Sequence, residues 1–337
     1  MNILIYGAGV IGGYLAHVLC VSGHNVTILA RGAWKKTLQE KGLVIRHRLQ
    51  RKTTIDRPKI IESISSDAKY DAVFAVMQYQ QMAEILDDLA AVSSPVVILV
   101  GNNMSAQIHE AHILQKTKTP KTVLFGFQAT GGKRENGVLH CVRFGDGTLT
   151  LGGLHNEADE TTKKKVTALF KSGNSAGDST RNSKRKKYKL TWVNNMDAWY
   201  KSHLTLILPI AYLCYHVHCN LRNVNRLQIK QVLDVAGEAC GLLKQLSYPI
   251  LPKGMDAYFK PGAKRIITAA LFWVMAKTSI GELAASDHCR HAVTEMESLD
   301  AAFDELRKKA ADYKMPAFED LRASIPDWAR LHEIYKS

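Results

Sequence analysis

The chain has 337 residues, 46% hydrophobic and 23% charged, which is enough for two domains with their own cores and excludes a disordered or fibrous sequence. A formal net charge of +14 points to anionic partners: a phosphorylated cofactor, acidic metabolites or nucleic acid. Six scattered cysteines do not make a disulfide framework and fit a reducing compartment, so a cytoplasmic protein is expected.

NILIYG (2–7) is a short apolar run ending in glycine, the pattern of a strand buried on both faces. Its flanks lack the basic segment of a signal peptide. Residues 10–22 read as a helix, with Ile11, Leu15, Val18 and Leu19 at helical spacing. HNVTILAR (24–31), DAVFAVM (71–77) and PVVILVG (95–101) read as further strands, with a helical QQMAEILDDLAAV (80–92) between the last two. This alternation implies a parallel, doubly wound sheet. KTVLFGFQAT (121–130) and the glycine-rich stretch 131–153 look like strands and hairpins, closed by TLTLGG (148–153).

KSGNSAGDSTRNSKRKK (171–187) is small, polar and basic, and reads as an exposed connection with a domain boundary near residue 180. From about Trp192 strand signals vanish. The apolar run Leu204 to Val217 is too short to span a bilayer and contains Pro209, so it reads as a buried helix and no membrane partner is expected. In HAVTEMESLDAAFDELRKKA (291–310), Ala292, Met296, Leu299, Phe303 and Leu306 form one stripe. The expected fold is α/β: a Rossmann-type doubly wound sheet in residues 1–180, then an all-α domain in 181–337.

Gly7-Ala8-Gly9-Val10-Ile11-Gly12 has the spacing of a dinucleotide fingerprint, placed between a predicted strand and a predicted helix. Gly7 permits the tight turn, Gly9 lets the backbone approach a pyrophosphate, and Gly12 lets the helix pack on the strand. The helix N–H groups at Val10 and Ile11 then face the phosphates. The acid that binds the ribose hydroxyls of NAD at the end of the second strand is missing. Ala30-Arg31-Gly32 stands there, with Lys35 and Lys36 close behind. A guanidinium in that place can hold a 2′-phosphate by two hydrogen bonds and stack on adenine, so NADP(H) is the expected cofactor. The rival reading of Arg31 is a solvated surface charge.

GAGVIGGYLA, the ILARG after the second strand, the GDGTLTLGG strand and the helical second half together resemble the ketopantoate reductase (2-dehydropantoate 2-reductase) family. The resemblance implies a catalytic lysine in a W-x-K pattern, met by Trp199-Tyr200-Lys201. It also implies a catalytic glutamate in Thr294-Glu295-Met296, an aspartate at Asp287, and Asn102 from the family's N-G-x-G, which here reads Asn102-Asn103-Met104-Ser105. Departures from the family pattern are Gln78, where a cofactor-reaching lysine ends the third core strand, and Thr205 and Pro209, where two asparagines follow the catalytic lysine. Leu283 stands at the spacing of the family's substrate-binding serine. The cofactor set is thus Gly7, Gly9, Val10, Ile11, Gly12, Arg31, Gln78 and Asn102; Asn102, Thr205 and Asp287 are the substrate candidates.

Reduction of a 2-oxo acid needs a hydride donor, a proton donor for the developing alkoxide, and donors that hold the carboxylate. Lys201 can supply the proton. With Asp197 as helix cap it lies near the first turn, where the helix dipole disfavours a cation. Glu295 sits beside the apolar stripe, able to accept from a substrate hydroxyl or to orient Lys201. Asn102 can orient nicotinamide or substrate from the carboxyl edge of the sheet, and an asparagine in a tight turn is its rival reading.

CYHVHC (214–219) and the trio His288, Cys289 and His291 contain no C-x-x-C or H-E-x-x-H, so no metal is expected. The basic run Lys184-Arg185-Lys186-Lys187 lacks an aromatic platform, so no nucleic-acid partner is expected. The expected activity is NADPH-dependent reduction of a small 2-oxo acid. The alternatives are a related oxidoreductase acting on another oxo acid or an imine, and a non-catalytic NADP-binding sensor. A homodimer is the assembly kept in view.

Overall fold

The apolar runs of the first half become parallel strands because both of their faces are covered. The computed structural model describes residues 1–65, 67–171 and 188–336. They fall into two compact units, Met1–Met196 and Asp197–Ser337.

In chain order the first unit contains β1 (Asn2–Tyr6), α1 (Val10–Val21), β2 (Asn25–Leu29), α2 (Gly32–Lys41), β3 (Leu43–His47), β4 (Lys52–Asp56), β5 (Lys59–Ile61) and β6 (Ala72–Val76). There follow α3 (Leu86–Ala91), β7 (Val96–Val100), α4 (Ala106–Lys116), β8 (Thr122–Gln128), β9 (Gly131–Glu135), β10 (Val138–Val142), β11 (Thr148–Gly152), α5 (Glu160–Leu169) and β12 (Lys189–Trp192).

Eight strands form the main sheet in the order β12-β11-β8-β7-β6-β1-β2-β5. From β8 to β5 every neighbour is parallel; β11 joins antiparallel to β8, and β12 is parallel to β11. The chain therefore steps from β1 to β2 on one side and later returns to β6 on the other. That reversal is the topological switch point of a doubly wound sheet, and the loop after β1 lies on it. Ile3, Leu4 and Ile5 are fully buried, as are Val97, Ile98 and Val100.

Two features were not read from the sequence. The stretch 43–61 forms three strands, two of which build a second, four-stranded sheet in the order β4-β3-β10-β9. Its segments LVIRH and KTTID are short and charged because they are covered on one side only. In addition, Thr148–Gly152 is not the end of the sheet, since Lys189–Trp192 pairs with it in parallel. The first unit thus extends past the boundary expected near 180. That boundary, most of the connection 171–187 and the basic run 184–187 lie outside the described residues.

The small sheet covers α1 through a buried polar cluster. Arg143, His47 and His17 are all at least nine-tenths buried. Arg143 lies over the Tyr14 ring with its guanidinium carbon 4.6 Å from the centroid. Its Nη2 donates to His47 Nδ1 at 3.2 Å, and His47 Nε2 faces the Thr54 hydroxyl at 2.8 Å. His17 pairs with Asp56 at 2.7 Å.

The second unit is helical: α6 (Met196–His216), α7 (Arg226–Gln245), α8 (Ala263–Ala276), α9 (Ser279–Gly281), α10 (Asp287–His291), α11 (Val293–Lys308), α12 (Pro316–Ala323) and α13 (Trp328–Tyr335). A π-turn, Glu282–Ser286, joins α9 to α10. The expected stripe is in the core, with Ala292, Met296, Leu299, Phe303 and Leu306 all buried on or beside α11. Leu204, Leu208 and Leu213 of α6 are also buried. Among the described residues no single helix is long and apolar enough to cross a membrane; α8 and Ser279–His291 meet that length and composition only as a pair bent by 83°.

His47 supplies a pH prediction. Burial first, then the nearby His17, Arg143 and Lys52, push its imidazole down from 6.5 to about 3. Above pH 6.5 the ring is neutral in both folded and unfolded chains, so it has no effect. Below that, the unfolded chain takes up a proton that the folded chain refuses. Stability then falls by up to about 1.4 kcal/mol per pH unit until pH approaches 3. Urea unfolding at pH 7.5 and 5.0 is expected to show wild type losing about 2 kcal/mol more than His47→Gln. Parallel losses in the two proteins would rule out His47 as the source.

Candidate functional site

The turn after β1 is built from backbone contacts that only glycine allows. Gly7 has φ +111°, and a Cβ there would lie 2.1 Å from the Val76 carbonyl oxygen at the end of β6. A Cβ on Gly12 would lie 2.0 Å from the Gly7 carbonyl oxygen. Gly9 is different: a Cβ there would meet nothing within 4 Å, so the surface above it is open. Gly9 is the N-cap of α1, no side chain caps the helix, and no acid stands in its first turn. Uncapped N–H groups beneath an open backbone surface fit an anionic pyrophosphate. Ile11 is fixed from behind, its carbonyl accepting from Gln128 Nε2 at 3.1 Å.

Because β1, β2, β6 and β7 are parallel, the residues just beyond them share one edge of the sheet. Arg31 stands after β2, Gln78 after β6, and Asn102 and Asn103 after β7. Arg31 is exposed. Its Nη2 donates to the Tyr6 hydroxyl at 3.2 Å, and that hydroxyl donates to Asp88 at 2.8 Å. Burial and the Asp88 carboxylate push the Tyr6 phenol up to about 12, so it stays protonated. Lys35, by contrast, is paired with Glu62 at 2.6 Å. Among the described residues the Arg31 guanidinium is oriented by a neutral phenol and has no carboxylate at ion-pair distance.

The two loops on the other side of the switch point touch each other. A Cβ on Gly101 would lie 2.6 Å from the Met77 carbonyl oxygen. The Tyr79 hydroxyl bonds Ser105 Oγ at 2.8 Å, and Gln80 Nε2 donates to Gln78 Oε1 at 2.9 Å. Asn102 is half-buried, whereas Asn103 is 2% exposed and neither of its amide atoms has a hydrogen-bond partner among the described residues. The sequence reading passed over Asn103. The replacement of a family glycine by a second amide was the available signal.

In the second unit Lys201 is buried on the first turns of α6. Asp197 is not the helix cap expected from sequence: the helix begins at Met196, and the Asp197 carboxylate accepts from Lys201 Nζ one turn on. The Lys201 ammonium also lies 4.7 Å from the centre of the Tyr248 ring.

Thr205 is fully buried, and its hydroxyl donates to the Ser202 carbonyl at 2.7 Å. Pro209 sits inside α6 and has no N–H to give the Thr205 carbonyl. Asp287 is buried and held by Arg290 at 2.7 Å. Glu295 is 3% exposed in the first turn of α11, with His288 Nε2 at 3.4 Å. The three cofactor candidates Arg31, Gln78 and Asn102 thus share one sheet edge with Asn103, Lys201 and Thr205 share α6, and Asp287 and Glu295 lie on consecutive helices. Among the described residues no group of three or more His, Cys, Asp or Glu is placed to hold a metal.

The fold is of the doubly wound α/β class, with a glycine turn of dinucleotide-fingerprint spacing on its switch point. Residues 3–156 match the family model for ketopantoate reductase PanE/ApbA. No curated protein matches the chain.

Solved structures share the fold at low identity. 2-Dehydropantoate 2-reductase from Methylococcus capsulatus aligns at 18% identity and TM-score 0.66, over 100% of this chain and 98% of that one. D-Mandelate dehydrogenase with NADH and anilino(oxo)acetate aligns at 16% identity and TM-score 0.72, over 100% and 98%. The dimeric ketopantoate reductase from Staphylococcus aureus aligns at 10% identity and TM-score 0.63, over 100% and 99%.

Gly9 and Gly12 separate binding from folding. Gly12→Ala is expected to cost about 3 kcal/mol in urea unfolding, because its Cβ meets backbone. Gly9→Ala should stay within about 0.5 kcal/mol of wild type, yet bind a nicotinamide dinucleotide at least about tenfold more weakly in a fluorescence titration. A Gly9→Ala variant with unchanged affinity would show that the open backbone is not the binding surface.

Proposed function

We propose that the protein is an NADP(H)-dependent reductase of a small 2-oxo acid, related in chemistry to the ketopantoate reductases. The observation that carries this reading is the uncapped glycine turn on the switch point beside an Arg31 guanidinium that, among the described residues, has no carboxylate at ion-pair distance. In this reading the first-turn N–H groups of α1 hold the pyrophosphate, and Arg31 holds the 2′-phosphate in a charge-assisted pair. Bound NADPH supplies the hydride. Gln78 and Asn102 contribute polar atoms at the nicotinamide end, which lies on the β6–β7 side because Arg31 marks the adenine side on β2.

Lys201 gives its proton to the alkoxide oxygen as the carbonyl carbon is reduced, and Asp197 holds the ammonium in place beforehand. Glu295 accepts from the substrate hydroxyl and fixes its orientation. Thr205 and Asp287 have their polar atoms committed elsewhere and have no direct role in this scheme. Ketopantoate is one candidate substrate. The fold neighbour holding NADH and anilino(oxo)acetate makes other 2-oxo acids, and NADH, the comparison to run first. A homodimer is the assembly to test, given the dimeric fold neighbour.

Two measurements test the reading. Arg31→Ala should weaken NADPH by roughly ten- to hundredfold and leave NADH nearly unchanged. Equal wild-type affinities for the two cofactors would exclude the 2′-phosphate role. On whichever 2-oxo acid supports NADPH oxidation, Lys201→Ala should lower kcat by about 10²–10⁴-fold while NADPH affinity holds. Full turnover in that variant would remove Lys201 from the chemistry. NADPH binding without turnover of any 2-oxo acid or imine would favour a sensor.

A further inference from the structure

We infer that Asn103 is a cofactor-binding residue whose amide pairs with the carboxamide of the nicotinamide ring; the inference rests on the dinucleotide reading above. Asn103 lies in the loop between Gly101 and Ser105, at the carboxyl end of β7. It is 2% exposed, and both Nδ2 and Oδ1 are buried without a hydrogen-bond partner among the described residues. Such an amide is unfavourable in the ligand-free chain, since it has lost water and gained nothing in exchange. Orphaned buried amides in folded proteins are uncommon and call for a specific cause.

Position and chemistry supply that cause. The loop is on the β6–β7 side of the switch point, opposite Arg31, where the nicotinamide end falls. The neighbouring loop presents a second buried orphan, Gln80 Oε1, while Gln80 Nε2 is engaged by Gln78. A donor and an acceptor are both unsatisfied on one planar group. A carboxylate satisfies only the donor. A primary carboxamide satisfies both, through a pair of N–H···O bonds that run in opposite directions. The nicotinamide ring carries such a group.

The loop is free to deliver it. Residues 102–105 belong to no strand or helix, so turning the Asn103 side chain outward breaks no ladder hydrogen bond. Bound cofactor then offers the amide a donor and an acceptor together, which couples the Asn103 side-chain position to occupancy.

The test compares NADPH with the analogue in which the carboxamide is replaced by an acetyl group (3-acetylpyridine), by fluorescence or calorimetric titration, for wild type, Asn103→Leu and Asn103→Ala. Wild type is expected to prefer the carboxamide form by about tenfold, and both variants should lose that preference by weakening on NADPH alone. Thermal unfolding without ligand supplies a second readout. Asn103→Leu keeps the shape and removes the orphan amide, so its midpoint should rise by about 2–6 °C. Equal wild-type binding of the two forms overturns the inference without needing any variant. A lowered midpoint in Asn103→Leu with unchanged NADPH affinity also overturns it, by showing that the amide holds a buried water. Wild type that binds neither NADPH nor NADH removes the dinucleotide reading, and the inference with it.

Discussion

The first unit depends on a single backbone crossing. At Gly7 and Gly12, β1, the start of α1 and the end of β6 approach so closely that carbonyl oxygens occupy the space a side chain would need. This contact lets a strand turn directly into a helix at the switch point of the sheet. It leaves the helix N-terminus uncapped and facing outward, because the turn is made entirely of residues that cannot cap it. The candidate binding surface is what remains when this packing is satisfied by backbone alone.

The rear of α1 is fixed as firmly as its front. Gly13 lies under Leu139, where a Cβ would come within 2.3 Å of the leucine Cδ1. Tyr14 is covered by the Arg143 guanidinium. The charge of Arg143 is tolerated there because Asp146 stands 3.8 Å away, the Gly145 carbonyl and the neutral His47 accept from it, and Tyr14 offers a π face. The small sheet is therefore more than an appendage. It closes the helix side left open by the main sheet, using an unusual polar layer where a simple apolar one would pack. A polar layer with fixed donor and acceptor roles permits fewer alternative registers than an apolar one, and this suits a helix whose first turn must point at a ligand.

How much was legible in the sequence follows from how each element is covered. Strands buried on both faces announce themselves as continuous apolar runs, so β1, β2, β6, β7 and β8 were all readable. The α11 stripe was readable for the same reason at helical period. The strands β3 and β4 were not: LVIRH and KTTID are covered on one face and carry charge on the other, over only five residues each. β12 was missed because composition changes before the sheet is complete. In the candidate site, the close backbone approach at Gly7 and Gly12 was legible because it depends on local sequence spacing. Asp197 was misread because an acid at a helix start can cap the helix or pair one turn onward, and its sequence fits both. Thr205 and Asp287 were named by family position, and only the folded chain shows where their polar atoms are spent.

The two candidate halves of the chemistry meet the cost of burial in opposite ways. Lys201 is sealed within α6, and its charge is met inside the chain by Asp197 and the Tyr248 ring. It therefore needs no ligand to be tolerated. Asn103 is equally sealed, and among the described residues neither of its amide atoms has a hydrogen-bond partner. A proton donor must be in place before each turnover whether or not substrate is bound, so a complete set of internal partners is consistent with that role. A recognition group gains selectivity when its only satisfactory partner is the ligand, because a wrong ligand then leaves the desolvation cost unrelieved. On this view the pairing of each buried polar group is itself informative. Groups satisfied within the chain mark what must be held ready, and groups left unsatisfied at the carboxyl edge of the sheet mark what the chain is built to receive.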